Sequence, residues 1–98
     1  MKPINNMQEL EALLNKKSIS SLGCVIALYV DEHVLVLDGP QGKVLDHDKA
    51  SDCQVITTLA DISDIISGTL DPTTAFMLGK ITVKGDLSKA IKLQTLLT

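Results

Sequence analysis

Apolar residues recur along this 98-residue chain with two different periods, and the switches between them mark out its elements. Met7, Leu10, Leu13 and Leu14 fall on one face while Glu9, Glu11 and Lys16 take the other. That spacing, with Asn5 or Asn6 as cap, predicts a helix over residues 6–17. "SISSLG" breaks it. The run "CVIALYVDEHVLVLDG" holds short apolar stretches bounded by polar ones and predicts two strands joined at Asp31-Glu32. Gly39-Pro40-Gln41-Gly42 makes the next turn, and "KVLDH" and "CQVITTL" predict a third and fourth strand around the polar loop "DKASD".

Helical spacing then returns. Thr58 and Asp61 match a capping box, and Leu59, Ile62, Ile65 and Ile66 repeat along one face until Gly68 stops the helix. Asp71-Pro72 starts another helix, with a cap and a proline at the first position, where its missing N–H costs nothing. Gly79 ends that helix about two turns later. "KITVK" alternates Ile81 and Val83 against three polar residues, the period of a half-buried strand. Gly85-Asp86 turns the chain into a last helix over residues 87–97. The order predicts an α+β fold: a five-stranded, mostly antiparallel sheet with helices packed on one face, in a single domain over residues 1–98.

The pattern does not close on itself in three places. Val25 to Tyr29 and Val34 to Leu37 are apolar at successive positions, so both faces of these strands need cover. A second subunit, a wrapping segment or an apolar ligand would each supply it. Ala75, Phe76, Met77 and Leu78 advance by about 100° each around a helix, so they point in four directions, and a helix apolar all round is expected to be enclosed all round. This stretch reads equally as core or as the wall of a cavity. On the last helix, Leu87, Ala90, Ile91, Leu93 and Leu97 form a broad apolar arc with Gln94 inside it. Gln94 either reaches water at the edge or serves as the polar contact in an apolar pocket.

Composition narrows the function classes. Hydrophobic residues make up 45% of the chain but aromatics only 2%, and net charge is −3 with scattered lysines. Nucleic acid is therefore not an expected partner, because phosphate binding needs a concentrated basic field and stacking rings. Cys24 and Cys53 lie in apolar surroundings without C-x-x-C spacing, which fits buried thiols in a reducing compartment. No apolar run is long enough to cross a bilayer, and the N-terminus lacks a signal-peptide core. A soluble cytoplasmic protein with at most transient membrane contact is expected.

Motifs for chemistry are absent or incomplete. Asp46-His47-Asp48 with Asp52 lacks the glycine and terminal Glu of a calcium loop, and His33 and His47 fit no metal-ligand spacing. Gly79-Lys80 is followed by Ile81 and does not make a phosphate loop. No nucleophile elbow occurs, so the domain is expected to be non-enzymatic, without cofactor or metal. A cysteine-dependent enzyme is the rival reading and rests only on Cys24 and Cys53.

One long stretch carries a resemblance. "SGTLDPTTAFMLGKITVKGDLSKAIKLQTLL", Ser67 to Leu97, joins a glycine-ended helix, Leu-Asp-Pro, an Ala-Phe pair, Gly-Lys, an alternating strand, Gly-Asp and an amphipathic helix. In this it resembles the sterol carrier protein type 2 family of sterol-transfer proteins, while residues 6–59 match in element order only. The resemblance implies a hydrophobic tunnel for a sterol, fatty acyl chain, acyl-CoA or isoprenoid, and no catalysis. By match to the motif, Phe76, Met77, Leu78, Ile91 and Gln94 fall on or near the cavity; Ile62, Ile66 and Leu97 complete the candidate ligand-binding set. Two departures stand out. Leu78 replaces a polar residue common in relatives, and the chain ends at Thr98, without the segment that helps close the tunnel in longer ones. The alternative to a carrier is an accessory module that forms a homodimer or presents a hydrophobic substrate to a partner enzyme.

Overall fold

The computed structural model describes residues 4–97. It runs through α1 (Met7–Asn15), a 3-10 turn (Ile19–Leu22), β1 (Val25–Val30), β2 (His33–Asp38), β3 (Lys43–Leu45) and β4 (Cys53–Thr57). Then follow α2 (Leu59–Ser67), α3 (Pro72–Met77), β5 (Thr82–Gly85) and α4 (Leu87–Leu97). The expected caps form. Asn6 accepts from the Glu9 N–H at 2.8 Å, Thr58 from Asp61 at 3.1 Å, and Asp71 from Thr74 at 3.0 Å. Asp86 accepts from both the Ser88 N–H and its hydroxyl, which holds its carboxyl below the usual carboxylate range.

The strands form one mixed sheet in the order β3-β2-β1-β4-β5. β1 pairs antiparallel with β2 and parallel with β4, while the outer pairs β2–β3 and β4–β5 are antiparallel. The sheet is thus mostly antiparallel, as expected, with one parallel pair at its centre. Alternation along β1 sends Ile26, Leu28 and Val30 to one face, where they meet Leu35 and Leu37 from β2 and Cys53 and Val55 from β4. Leu10 and Leu14 of α1, Ile62 and Ile66 of α2, and Leu93 and Leu97 of α4 pack on that face in one core. The helices therefore cover a single side.

The other face carries Ala27, Tyr29, Val36 and Asp38. Ala27 and Val36 are fully buried, and the cover comes from the chain itself. Because β3 lies at one edge and β4 beyond β1, residues 46–52 must cross β2 and β1 to reach β4. They cross on this face. Tyr29 donates its hydroxyl to Asp48 at 3.0 Å, Lys49 pairs with buried Asp38, and Asp52 accepts from the Val25 N–H at 2.9 Å. Of the three covers open to the sequence, a wrapping segment is the one that buries β1 and β2, and no second subunit is needed for that.

Several sequence expectations shift. The third strand stops at Leu45, because Asp46 and His47 already belong to the crossover. "SISSLG" is more than a break: Ile19 and Leu22, three apart, both enter the core from a 3-10 turn. β5 begins at Thr82, since the Lys80 carbonyl is taken by the Thr57 hydroxyl. α1 ends at Asn15, short of Lys16 and Lys17. The helix expected to be enclosed all round is not: α3 buries Ala75, while Met77 and the following Leu78 are 79% and 64% exposed.

Gly85 sits at φ +95° against β4, and a Cβ there would lie 2.9 Å from the Asp52 carbonyl oxygen. Gly85→Ala is expected to lower unfolding free energy by about 1–3 kcal/mol, read by urea denaturation. The crossover makes a pH prediction. The Lys49 hydrogen bond, helped by the Gln41 N–H and opposed by burial, holds the Asp38 carboxyl below its ordinary range. A depressed folded value means the contribution is present above the unfolded carboxyl pKa of about 3.9 and fades as pH falls through the folded one. Lys49→Met should lower the urea midpoint at pH 7, and its gap to the native protein should close as the pH drops below about 4.

Candidate ligand-binding site

The core does not fill the space between the helices and the β4 side of the sheet. An apolar cavity of about 220 Å³ remains there. Its floor is Leu28 of β1 with Val55 and Thr57 of β4. Ile62 and Ile65, three residues apart on α2, form one side; Leu87, Ala90, Ile91 and Gln94, spaced along one stripe of α4, form another. Pro72, Thr73 and Phe76 of α3 close it from above, and Ile81 and Val83 complete the β5 edge. Phe76, Leu87 and Ile91 are each about half exposed, which places them at an open mouth.

The lining holds no ionisable side chain. Its polar groups are Thr57, Thr73 and Gln94, and the Thr57 hydroxyl already donates to the Lys80 carbonyl at 3.1 Å. Such a surface offers little to a charged ligand and much to a hydrocarbon one. Gln94 is half-buried, inside the apolar arc where the sequence put it.

Of the eight residues named from sequence, Ile62, Phe76, Ile91, Gln94 and Leu97 line this cavity. Ile66 instead belongs to the core, and Met77 and Leu78 point to solvent. On α2 the cavity takes Ile65, because Ile66 is turned a further 100° around the helix into the core. Leu28, Val55 and Thr57 were not named. They alternate correctly within their strands, but which face of a strand meets a cavity depends on what packs there. Leu87 and Ala90 could have been found from the i, i+3, i+4, i+7 stripe that ends at Gln94.

The model of the SCP-2 sterol transfer family matches residues 4–98. The chain belongs to that family. Sterol carrier protein 2 of Gallus gallus is 34% identical over 68 residues, 66% of this chain and 12% of the relative. Hydroxysteroid dehydrogenase-like protein 2 of Mus musculus is 39% identical over 66 residues, 65% of this chain and 14% of the relative. This SCP-2 family chain thus spans only 10–14% of the length of the curated relatives it matches. In the crystal structure of sterol carrier protein 2 like 2 from Aedes aegypti, 25% identical, the fold superposes with a TM-score of 0.72 over 91% of this chain and 96% of that one. The solution structure of the same mosquito protein in palmitated form gives 0.72 at 23% identity, over 90% and 93%. The family fold agrees with the five-stranded mixed sheet and the helices packed on it.

Other groups have structural roles. Among the described residues no cluster of three or more His, Cys, Asp or Glu could hold a metal. Asp48 is taken by Tyr29, whose hydroxyl is pushed up by that hydrogen bond, and His47 lies beside Asp46 at 3.5 Å. No helix among the described residues is long and apolar enough to cross a membrane. Both cysteines are buried, and burial, with Cys24 nearby, pushes the Cys53 thiol up to about 11. A raised thiol is a poor nucleophile at neutral pH. Labelling of the native protein with a thiol-disulfide reagent at pH 7.5 should run at least 100-fold slower than in urea; rapid native labelling of either cysteine would restore the cysteine-dependent reading.

Proposed function

We propose that residues 1–98 act as one lipid-binding domain that carries a hydrophobic ligand with its tail in the cavity bounded by the sheet, α2, α3 and α4. The observation that carries this is the lining: a concave, almost wholly apolar surface with three polar side chains and no charge. The palmitated relative supports the same ligand class. Each methylene removed from water contributes roughly 0.8 kcal/mol, so about ten buried carbons, roughly 8 kcal/mol, are needed before micromolar affinity comes into reach. Gln94, half-buried within the apolar stripe, orients the polar end of the ligand; Ile62, Phe76, Ile91 and Leu97 hold the tail.

About 220 Å³ lies below the roughly 300–1,000 Å³ of sites that enclose a drug-sized ligand. A long chain therefore enlarges the cavity toward a tunnel by displacing α3, six residues long with only Ala75 buried. The domain performs no chemistry of its own and works in the cytoplasm, where its thiols stay reduced. The matched segments form only 10–14% of much longer relatives, one named as dehydrogenase-like, which favours a second use: presenting the ligand to a partner enzyme.

Native mass spectrometry of delipidated protein with dodecanoic and palmitic acids, a sterol and a ubiquinone analogue tests the reading. One-to-one complexes are expected with at least one acyl ligand. Ala90→Phe, which fills the cavity from its wall, should weaken binding at least tenfold while leaving the far-UV circular dichroism unchanged. Binding that survives a filled cavity, or no complex with any of the ligands, would overturn it.

A further inference from the structure

Most walls of the cavity cannot give. Leu28, Val55, Ile62, Leu93 and Leu97 are each at most 6% exposed and also belong to the closed core, so moving any of them opens a void behind it. The wall freest to move is α3, whose Phe76 is half exposed and whose one buried residue is Ala75. It is tied down at both ends. The Thr69 and Leu70 N–H groups donate to the Asp64 carbonyl ahead of it, and the Lys80 N–H donates to the Ala75 carbonyl at 2.9 Å behind it. Ile65 stands apart: it is buried and lines the cavity without belonging to that core cluster.

Volume then sets what fits. A methylene is close in size to a water molecule, which takes about 30 Å³ in the liquid, so about 220 Å³ holds roughly seven or eight carbons. A fused sterol nucleus, about 17 carbons in one rigid body, needs roughly twice that space on the same scale. It can neither bend nor be divided between cavity and rim. A flexible chain can. Its first carbons fill the closed space, and further ones push α3 outward or lie along the exposed apolar patch of Phe76, Leu87 and Ile91, with Met77 and Leu78 beside it. Each of these later carbons adds much less than an enclosed one, because α3 loses contacts or the carbon stays half in water.

The lining carries no ionisable side chain, so a carboxylate drawn inside would be desolvated without a counter-charge. The polar end of a ligand therefore stays toward the opening, where Thr73 of α3 and Gln94 of α4 stand on the two helices that frame it. We propose that the site is selective for one flexible aliphatic chain, enclosed tail-first to about seven or eight carbons, that it rejects fused-ring sterols, and that Ile65 sets the enclosed length. The proposal rests on the cavity being a lipid site and names which lipids it takes.

Isothermal titration of the delipidated full chain with n-alkanoates from butanoate to tetradecanoate, with 1-octanol, and with cholesterol as competitor tests it. Affinity should rise about fourfold per carbon as far as seven or eight carbons and less than twofold per carbon beyond. Octanol and octanoate should agree within threefold, and cholesterol should displace neither. Ile65→Ala should move the break two or three carbons later; Ile65→Val, which removes a single carbon and keeps the fold, should move it by about one. An unbroken rise to tetradecanoate, a break indifferent to Ile65, an octanol–octanoate gap above tenfold, or cholesterol binding on a par with octanoate overturns the selectivity and leaves the lipid site standing. Binding of no ligand in the series overturns the cavity reading and the selectivity with it.

Discussion

The structure depends on the apolar character of both faces of β1. Ile26, Leu28 and Val30 point one way and Ala27 the other, and all four are fully buried. A chain of 98 residues has too little helix to cover both faces of a sheet. Placing β4 parallel to β1 resolves this, because a parallel partner needs a crossover, and here the crossover becomes the second cover. Tyr29–Asp48, Lys49–Asp38 and Asp52–Val25 fasten it along its length, so seven residues without secondary structure stand in for a missing layer.

All the helices are thereby free for the first face, yet they do not fill it. α1 and the 3-10 turn close over the β1–β2–β3 side with Leu10, Leu14, Ile19 and Leu22, and α4 lays Leu93 and Leu97 toward β1 and β4. Toward β4 and β5 the cover thins, since β5 is four residues long and α3 buries only Ala75. The cavity is the space this short helix spans without filling. Its mouth is apolar for the same reason, because residues that would be core under a larger helix are left at the rim. Carrier cavity and exposed patch are two results of one shortage of cover.

Much of the fold was legible. The capping residues Asn6, Thr58, Asp71 and Asp86, and glycines such as Gly68 and Gly79, act on their immediate neighbours, and their effects survive into the tertiary structure. The apolar arc on the last helix holds Ile91 and Leu97 with Gln94 inside it, and all three line the cavity. Met77 and Leu78 enter the candidate set by a motif match and Ile66 completes it from α2; neither route fixes the direction of a side chain. On a helix one position turns a residue by about 100°, enough to move it from cavity to core or to solvent. The floor residues Leu28, Val55 and Thr57 carried no local signal.

By itself, then, the sequence determined the number and order of the main elements and their approximate bounds, because caps, turns and hydrophobic periods are short-range interactions, while the Ser67–Leu97 motif separately carried the resemblance to the family. The tertiary structure alone decided that β1 and β4 run parallel, that residues 46–52 cover the far face, and which apolar side chains border empty space. Those facts depend on contacts between residues far apart in the chain. A cavity is defined by what fails to fill it, and no single segment encodes that.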